Sequence, residues 1–112
     1  MKNIKICFSA DQFNNYSDKK STVVVVDLLR ATSVISTAFE FGIKDIIPVR
    51  TLEETLKYKE YKNHIIAAER NTLLVEGFEY GNSPYHYMNE KIKGKTLVLT
   101  TTNGTQAIHI AK

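Results

Sequence analysis

The sequence predicts an α/β domain with a mainly parallel sheet and helices on both of its faces. Two observations lead to this prediction. Residues 22–27 include four consecutive valines with no alternation of apolar and polar residues, a pattern typical of a parallel strand buried on both faces. Strand-like and helix-like segments then alternate along the chain, as they do where right-handed crossovers join parallel strands.

The individual strands are predicted from short apolar runs with polar residues at their ends. In chain order they cover residues 2–9, 22–27, 45–49, 64–68, 73–75 and 95–100. The stretch between the first two strands, residues 10–20, is rich in Asp, Asn and Ser and predicts a loop.

The helices are predicted from apolar spacing and from signals at their ends. Apolar residues at helical spacing start at Ala31, and Gly42 is a suitable stop for that helix. Thr51 and Glu54 have capping-box spacing, which predicts a helix to about residue 62. Pro84 follows Ser83 and predicts a helix to about residue 92, and a last helix is expected from residue 103. No repeat or linker interrupts the pattern, so residues 1–112 are expected to form a single domain or the N-terminal portion of a longer one.

Composition narrows the classes of protein to which the chain can belong. It is 43% hydrophobic and 24% charged, as in globular proteins. Its longest apolar run is four valines, whereas a membrane helix needs about 20 apolar residues. A single cysteine, Cys7, allows no internal disulfide, and the N-terminus has no signal-peptide core, so we expect a cytoplasmic location. The net charge of +3 comes from scattered lysines, which predicts a small anionic ligand rather than nucleic acid.

Polar clusters follow several of the predicted strands, where ligands bind in parallel sheets. The first cluster comes directly after the valine strand. Asp27 is suited to bind Mg²⁺ and Arg30 to hold a phosphate or sulfonate, while Thr32 and Ser33 offer hydroxyl and N–H groups. The alternative interpretation is a helix cap with a structural Asp–Arg pair.

Two more clusters follow later strands. Glu69, Arg70 and Asn71 come after residues 64–68, and their alternative interpretation is an ion pair at the surface. The third cluster, after the last strand, combines hydroxyl, amide and glycine residues at a helix start, which suits an anion. Its members are Thr101, Thr102, Asn103, Gly104 and Thr105. An ordinary Asn helix cap after a threonine-rich strand would explain the same pattern.

The fourth cluster is a loop over residues 76–84 with two glycines, in which Asn82 and Ser83 precede a proline. It is a structured loop before a helix and could equally line a pocket. The chain has no GxSxG, HExxH, CxxC or GxGxxG motif, and its histidines lack metal-ligand spacing. Serine-hydrolase, zinc-protease and dinucleotide-binding functions therefore have no support.

In their order along the chain, the four clusters resemble the successive signatures of the 2-phosphosulfolactate phosphatase (ComB) family. The resemblance implies an α/β fold and Mg²⁺-dependent hydrolysis of 2-phospho-3-sulfolactate to 3-sulfolactate and phosphate, a step of coenzyme M biosynthesis. It implies Asp27, Arg30 and Glu69 as catalytic residues, with Asp27 and Glu69 as Mg²⁺ ligands. The residues implied to bind substrate are Thr32, Ser33, Arg70, Asn71, Asn82, Ser83, Thr101, Thr102, Asn103, Gly104 and Thr105.

Two departures from the family pattern affect these expectations. Thr72 stands where the family often has glycine after the Glu-Arg-Asn run, so this loop is expected to differ. Family members are also considerably longer, which implies an exposed sheet edge through which this chain would associate with itself or another protein. Two alternatives therefore stay open. One is an anion-binding or interaction module without turnover, and the other is a generic α/β domain whose polar strand ends are only helix caps.

Overall fold

The computed structural model describes residues 3–18 and 20–112, and this part of the chain forms one four-stranded sheet with short helices. The strands are β1 (Asp45–Pro48), β2 (His64–Arg70), β3 (Leu73–Leu74) and β4 (Thr96–Thr100). The α-helices are α1 (Phe13–Tyr16), α2 (Ala31–Glu40), α3 (Leu52–Leu56) and α4 (Gly104–Ile110). Single turns of 3₁₀-helix cover Ala10–Gln12, Pro84–Tyr87 and Glu90–Ile92.

The sheet has the strand order β1-β4-β2-β3 and is mainly parallel. β4 lies between β1 and β2 and runs parallel to both, with Leu97 in register with Ile46 and Ile65. β3 adds an antiparallel edge to β2 through a two-residue turn. The predicted α/β class with a mainly parallel sheet is confirmed.

The core lies between helix α2 and one face of the sheet. Alternation along β4 directs Leu97 and Leu99 to the same face, where they join a buried cluster with Val34 and Ala38 of α2. The helix ends as predicted at Gly42, whose φ of +89° is a left-handed conformation that favours glycine. This packing places the N-terminal end of α2 beside the carboxyl ends of β2 and β4.

Two predicted strands are absent from the part of the chain that the structure describes. Residues 3–9 and 22–27 have no strand structure, and Lys2 lies outside the described residues. Val24 and Val26, which were expected to be buried, are 79% and 78% exposed. A strand needs a neighbour for its backbone N–H and C=O groups, and no described strand pairs with either segment.

Two predicted helices are shorter than the sequence indicated. Helix α3 does not reach residue 62, because after Leu56 the backbone continues in turns, with the Tyr58 N–H bonded to the Thr55 carbonyl. Residues 84–92 form two separate 3₁₀ turns instead of one helix. The second turn is capped by Asn89, whose side chain accepts a hydrogen bond from the Lys91 N–H at 3.0 Å. The predicted loop over residues 10–20 contains the short helix α1.

No helix within the described residues combines the length and the apolar character needed to span a membrane.

Candidate functional site

The four polar clusters meet at one pocket beside the carboxyl ends of β2 and β4. The pocket encloses about 390 Å³, including the solvent at its mouth. It is lined by Asp27, Leu29, Arg30, Glu69, Asn71, Thr72, Asn82, Thr101, Thr102 and Asn103. The structure therefore brings together residues that are up to 76 positions apart in sequence. Those from the ends of β2 and β4 meet because these parallel strands share one edge of the sheet.

Glu69, near the end of β2, is the buried carboxylate of this pocket, with only 5% of its surface exposed. Its Oε1 accepts hydrogen bonds from the Thr72 N–H at 2.6 Å and the Thr102 hydroxyl at 2.9 Å. Its Oε2 accepts one from the Thr102 N–H at 3.2 Å. Burial alone would raise the pKa of Glu69, but these hydrogen bonds and the charge of Arg30 together lower it below its ordinary value. Glu69 is therefore held as a carboxylate.

Arg30 reaches the same pocket from the loop before helix α2. Its Nη2 donates to the Thr72 carbonyl at 2.9 Å. Thr72 thus uses its N–H to hold Glu69 and its carbonyl to hold Arg30. Asn71 and Thr72 have φ values of +52° and +69° and form the two-residue turn between β2 and β3, a turn that requires positive φ at both positions. Thr72 therefore joins a cation and an anion of the site through its backbone.

Asp27 lies at the start of helix α2 and is half-buried. Its Oδ2 accepts the Ala31 N–H at 3.3 Å, and its own N–H donates to the Thr32 hydroxyl at 3.0 Å. Asp27 thus accepts the first N–H of α2, whereas the N-cap residue itself, Arg30, makes no capping bond with its side chain. The predicted structural pair with Arg30 is not among the ion pairs of residues 3–18 and 20–112. Within the same residues no donor reaches Oδ1 of Asp27, which leaves this oxygen open to a ligand.

Gly104, the first residue of α4, lies directly against Asp27. A Cβ at this position would overlap the Ala31 Cβ and would lie 2.7 Å from Oδ2 of Asp27. Only glycine lets the start of α4 come this close to the start of α2. The residue shapes the wall behind Asp27 but does not line the pocket.

The threonines of the third cluster have different roles. Thr101 and Thr105 bond each other, with the Thr105 N–H 3.1 Å from the Thr101 hydroxyl and the Thr101 N–H 3.0 Å from the Thr105 hydroxyl. Thr102 instead donates to Glu69 and accepts the Asn71 N–H at 3.3 Å. Asn103 occupies the N-cap position of α4 without a side-chain capping bond. The ordinary Asn cap is therefore not what the structure contains.

Arg70 does not reach this pocket, contrary to the prediction that it binds substrate there. Consecutive residues of a strand point to opposite faces of a sheet, so Arg70 turns away from the side that Glu69 occupies. Its guanidinium donates to the Thr100 hydroxyl at 2.9 Å and to the Arg50 carbonyl at 3.2 Å. It joins the ends of β1, β2 and β4, and it forms no ion pair with Glu69.

Four other predicted substrate-binding residues are also absent from the pocket lining: Thr32, Ser33, Ser83 and Thr105. The hydroxyls of Thr32 and Ser33 bond the loop before α2, at Asp27 and Leu28 respectively. Thr32 and Ser33 thus stabilise the loop that carries Asp27 and Arg30. Thr105 has a similar role, because it bonds the pocket residue Thr101.

Leu29 and Thr72 line the pocket although the sequence analysis did not place them there. The signal for Thr72 was present in the spacing. Only four residues, all polar, separate the predicted strands 64–68 and 73–75, and so short a connection indicates a hairpin, which turns the backbone of residue 72 back towards Glu69. Leu29 carries no comparable signal.

Asn82 is 7% exposed, and its Oδ1 is buried without any hydrogen-bond partner in the described residues. It adds an amide oxygen to a pocket that the carboxylates of Asp27 and Glu69 also line. Mg²⁺ prefers hard oxygen donors and usually takes one or two carboxylates plus waters and phosphate oxygens. No group of three His, Cys, Asp or Glu side chains suited to a metal exists among the described residues. The donors present fit Mg²⁺ better than a metal that needs nitrogen or sulfur ligands.

Comparison with known proteins gives a consistent result. A family model described as 2-phosphosulpholactate phosphatase matches residues 7–112. A probable 2-phosphosulfolactate phosphatase of Clostridium acetobutylicum is 51% identical over 107 residues, which cover 94% of this chain and 46% of that protein. A protein of the same name from Thermotoga petrophila is 56% identical over 87 residues, or 78% of this chain and 38% of that protein.

A third relative of the same name, from Clostridium tetani, is 49% identical over 108 residues and covers 95% of this chain. The chain spans about half the length of the curated relatives it matches. The match covers all four clusters of the pocket. The chain belongs to the 2-phosphosulpholactate phosphatase family.

Proposed function

We propose that this protein hydrolyses the phosphate ester of a small acidic molecule, 2-phospho-3-sulfolactate, to 3-sulfolactate and phosphate. One observation carries the proposal. The carboxylates of Asp27 and Glu69 and the guanidinium of Arg30 line a single pocket, although Glu69 is far from the other two in sequence. The names of the relatives supply the substrate, which carries a phosphate, a carboxylate and a sulfonate.

Arg30 is the group that binds the anionic substrate in this proposal. A guanidinium has five N–H donors and holds phosphate or sulfonate oxygens in pairs. Its recorded hydrogen bond to the Thr72 carbonyl uses one of them and fixes the orientation of the side chain. Its other donors have no hydrogen-bond partner within residues 3–18 and 20–112 and can bind the oxygens of a substrate in the pocket.

Asp27 and Glu69 are the residues that would hold Mg²⁺. When bound, the ion would neutralise charge on the phosphoryl oxygens and help to orient the attacking water. Glu69 already accepts three hydrogen bonds from Thr72 and Thr102, so its position is fixed before any ligand arrives. Asp27 keeps one oxygen without a donor among the described residues and is the more available carboxylate.

The test is phosphate release from 2-phospho-3-sulfolactate in the presence of Mg²⁺. It uses the protein at the length at which the cell makes it. Replacement of Asp27 by asparagine (Asp27→Asn) should lower kcat/KM on the order of 100-fold, because it removes a charge that acts on the reacting phosphoryl group. The thermal unfolding temperature should stay the same, since the amide keeps the oxygen that accepts the Ala31 N–H. Turnover at the wild-type rate would reject this role.

Asp45→Asn is the matched control, because Asp45 is exposed at the start of β1, the opposite end of that strand from the pocket. Its kcat/KM should equal that of the wild type.

A second candidate is an anion-binding module without turnover, favoured by the fact that the chain covers about half of each relative. Thermal stabilisation by 2-phospho-3-sulfolactate without phosphate release would select this function over hydrolysis.

A further inference from the structure

Asn82 lies in a loop that other contacts hold in place. The Gly81 N–H donates to Nδ1 of His86 at 3.0 Å, and the Tyr87 hydroxyl donates to the Gly81 carbonyl at 2.6 Å. Tyr80, which comes before Gly81, forms an isolated parallel β-bridge with Ala67 of β2. The backbone of Asn82 is therefore fixed next to β2, and its side chain lines the pocket at 7% exposure.

The buried Oδ1 of Asn82 has no hydrogen-bond donor in the described residues. Buried polar atoms in folded proteins almost always have a partner, and exceptions call for an explanation such as an ion or a water. Three backbone donors of the pocket lining are bonded to other groups. Those of Thr72 and Thr102 bond Glu69, and that of Thr101 bonds Thr105. The partner of Oδ1 of Asn82 is therefore a water or a ligand bound in the pocket.

An anion cannot be that partner for the oxygen. The oxygens of a phosphate dianion or a sulfonate accept hydrogen bonds and carry negative charge, so they repel an amide oxygen. A divalent cation, in contrast, takes amide oxygens readily as ligands. The two carboxylates of the same pocket, Asp27 and Glu69, supply the negative charge that such a cation needs.

We infer that Oδ1 of Asn82 is a third protein ligand of the divalent cation, beside the carboxylates of Asp27 and Glu69. This inference rests on the proposed function for the presence of a cation in the pocket. The sequence suggested that Asn82 binds the anionic substrate. The inference instead assigns its amide oxygen to the cation. Two carboxylates and one neutral amide oxygen match the charge of a divalent ion and leave further positions for water and substrate oxygens.

The test measures cation binding in the absence of substrate, on the protein at the length at which the cell makes it. Mn²⁺ serves as the probe, followed by electron paramagnetic resonance, and Mg²⁺ is then titrated as its competitor. Asn82→Leu should weaken binding of both ions by about tenfold or more, since a ligand oxygen is lost. Asn82→Asp should bind both ions at least as tightly as the wild type, since it places a carboxylate at the same position. Asn63→Leu and Asn63→Asp are the controls, because Asn63 is exposed beyond the other end of β2.

Wild-type affinity in Asn82→Leu, weaker cation binding in Asn82→Asp, or no cation binding by the wild type would each overturn the inference. A thermal unfolding scan without metal shows whether Asn82→Leu folds. If it does not, the Asn82→Asp result decides alone. For a folded Asn82→Leu, the rise in Tm that Mg²⁺ causes in the wild type should shrink.

Failure of the inference and failure of the proposed function are separable. Cation binding that depends on Asn82, without phosphate release, would keep the inference and reject the phosphatase. Phosphate release with Mg²⁺ affinity unchanged in Asn82→Leu would keep the phosphatase and reject the inference.

Discussion

Strand β4 and residues 22–27 are both rich in apolar side chains, but only β4 becomes part of the sheet. Leu97, Val98 and Leu99 of β4 have no exposed surface, whereas Val24 and Val26 are exposed over more than three quarters of theirs. β4 has a hydrogen-bonded strand on each side, and residues 22–27 have none among the described residues. The difference shows that an apolar run predicts a tendency to be buried, while a strand also requires a partner for its backbone.

The comparison extends to the polar residues that follow each segment. At the carboxyl ends of β2 and β4, Glu69 accepts three hydrogen bonds, one from the turn after β2 and two from Thr102 after β4. Asp27, which follows residues 22–27, is held by the start of α2 instead. The pocket thus combines two carboxylates that are held differently. Glu69 in the sheet is fixed by three hydrogen bonds, whereas Asp27 before α2 accepts one, from the Ala31 N–H.

The largest expected change in the free energy of unfolding is at Glu69, the carboxylate that the sheet holds in place. Glu69→Gln should lower the free energy of unfolding by about 3 kcal/mol, because a charged acceptor is lost from three hydrogen bonds and an amide N–H is left facing other donors. The measurement is chemical unfolding at neutral pH. Glu60→Gln, at an exposed turn, is the control and should change stability by less than about 0.5 kcal/mol.

The same carboxylate predicts a dependence of stability on pH. The pKa of Glu69 is lowered in the folded protein from its ordinary value of 4.5. Its ionisation therefore stabilises the fold above pH 4.5, and this stability is lost as the pH falls through the lowered pKa. Unfolding curves of Glu69→Gln should lack this part of the acid dependence. A variant with the full wild-type dependence would show that other groups cause it.

The next effect tests the two apolar segments with the same substitution. Val98→Ala should cost about 2 kcal/mol of unfolding free energy, because two buried methyl groups are lost and a cavity remains. Val24→Ala should change stability by less than about 0.5 kcal/mol, because Val24 is 79% exposed. Chemical unfolding of both variants measures the difference. Equal costs would show that residues 22–27 are packed in solution, contrary to the structure.

The smallest expected effect is a gain in stability at Thr72. Thr72→Gly should raise the free energy of unfolding by about 1 kcal/mol, because a β-branched residue with a φ of +69° is strained and glycine is not. The Thr72 N–H and carbonyl stay in place, so Glu69 and Arg30 keep their contacts. Thermal unfolding is the measurement. Thr37→Gly, in the middle of α2, is the opposite control and should destabilise the protein.

Part of the candidate site could be predicted from the sequence, since two of the clusters lie at the carboxyl ends of the parallel strands β2 and β4, which share one edge of the sheet. Glu69 and Asn103 meet in one pocket for this reason, whereas Asp27 follows a segment without strand structure and is held against the start of α2. Arg70 was misplaced because a sequence does not show which of two adjacent side chains in a strand faces the ligand. That choice follows from the packing of α2 on one face of the sheet.

By itself the sequence determined the alternation of strands and helices, the helix stop at Gly42 and the polar residues at the strand ends, because local spacing and backbone preferences act within a few residues. The tertiary structure alone decided which apolar runs became strands and which polar side chains entered the pocket. It also decided that Oδ1 of Asn82 is buried without a donor. These outcomes depend on contacts between residues far apart in the chain, such as Thr102 with Glu69, which no local pattern records.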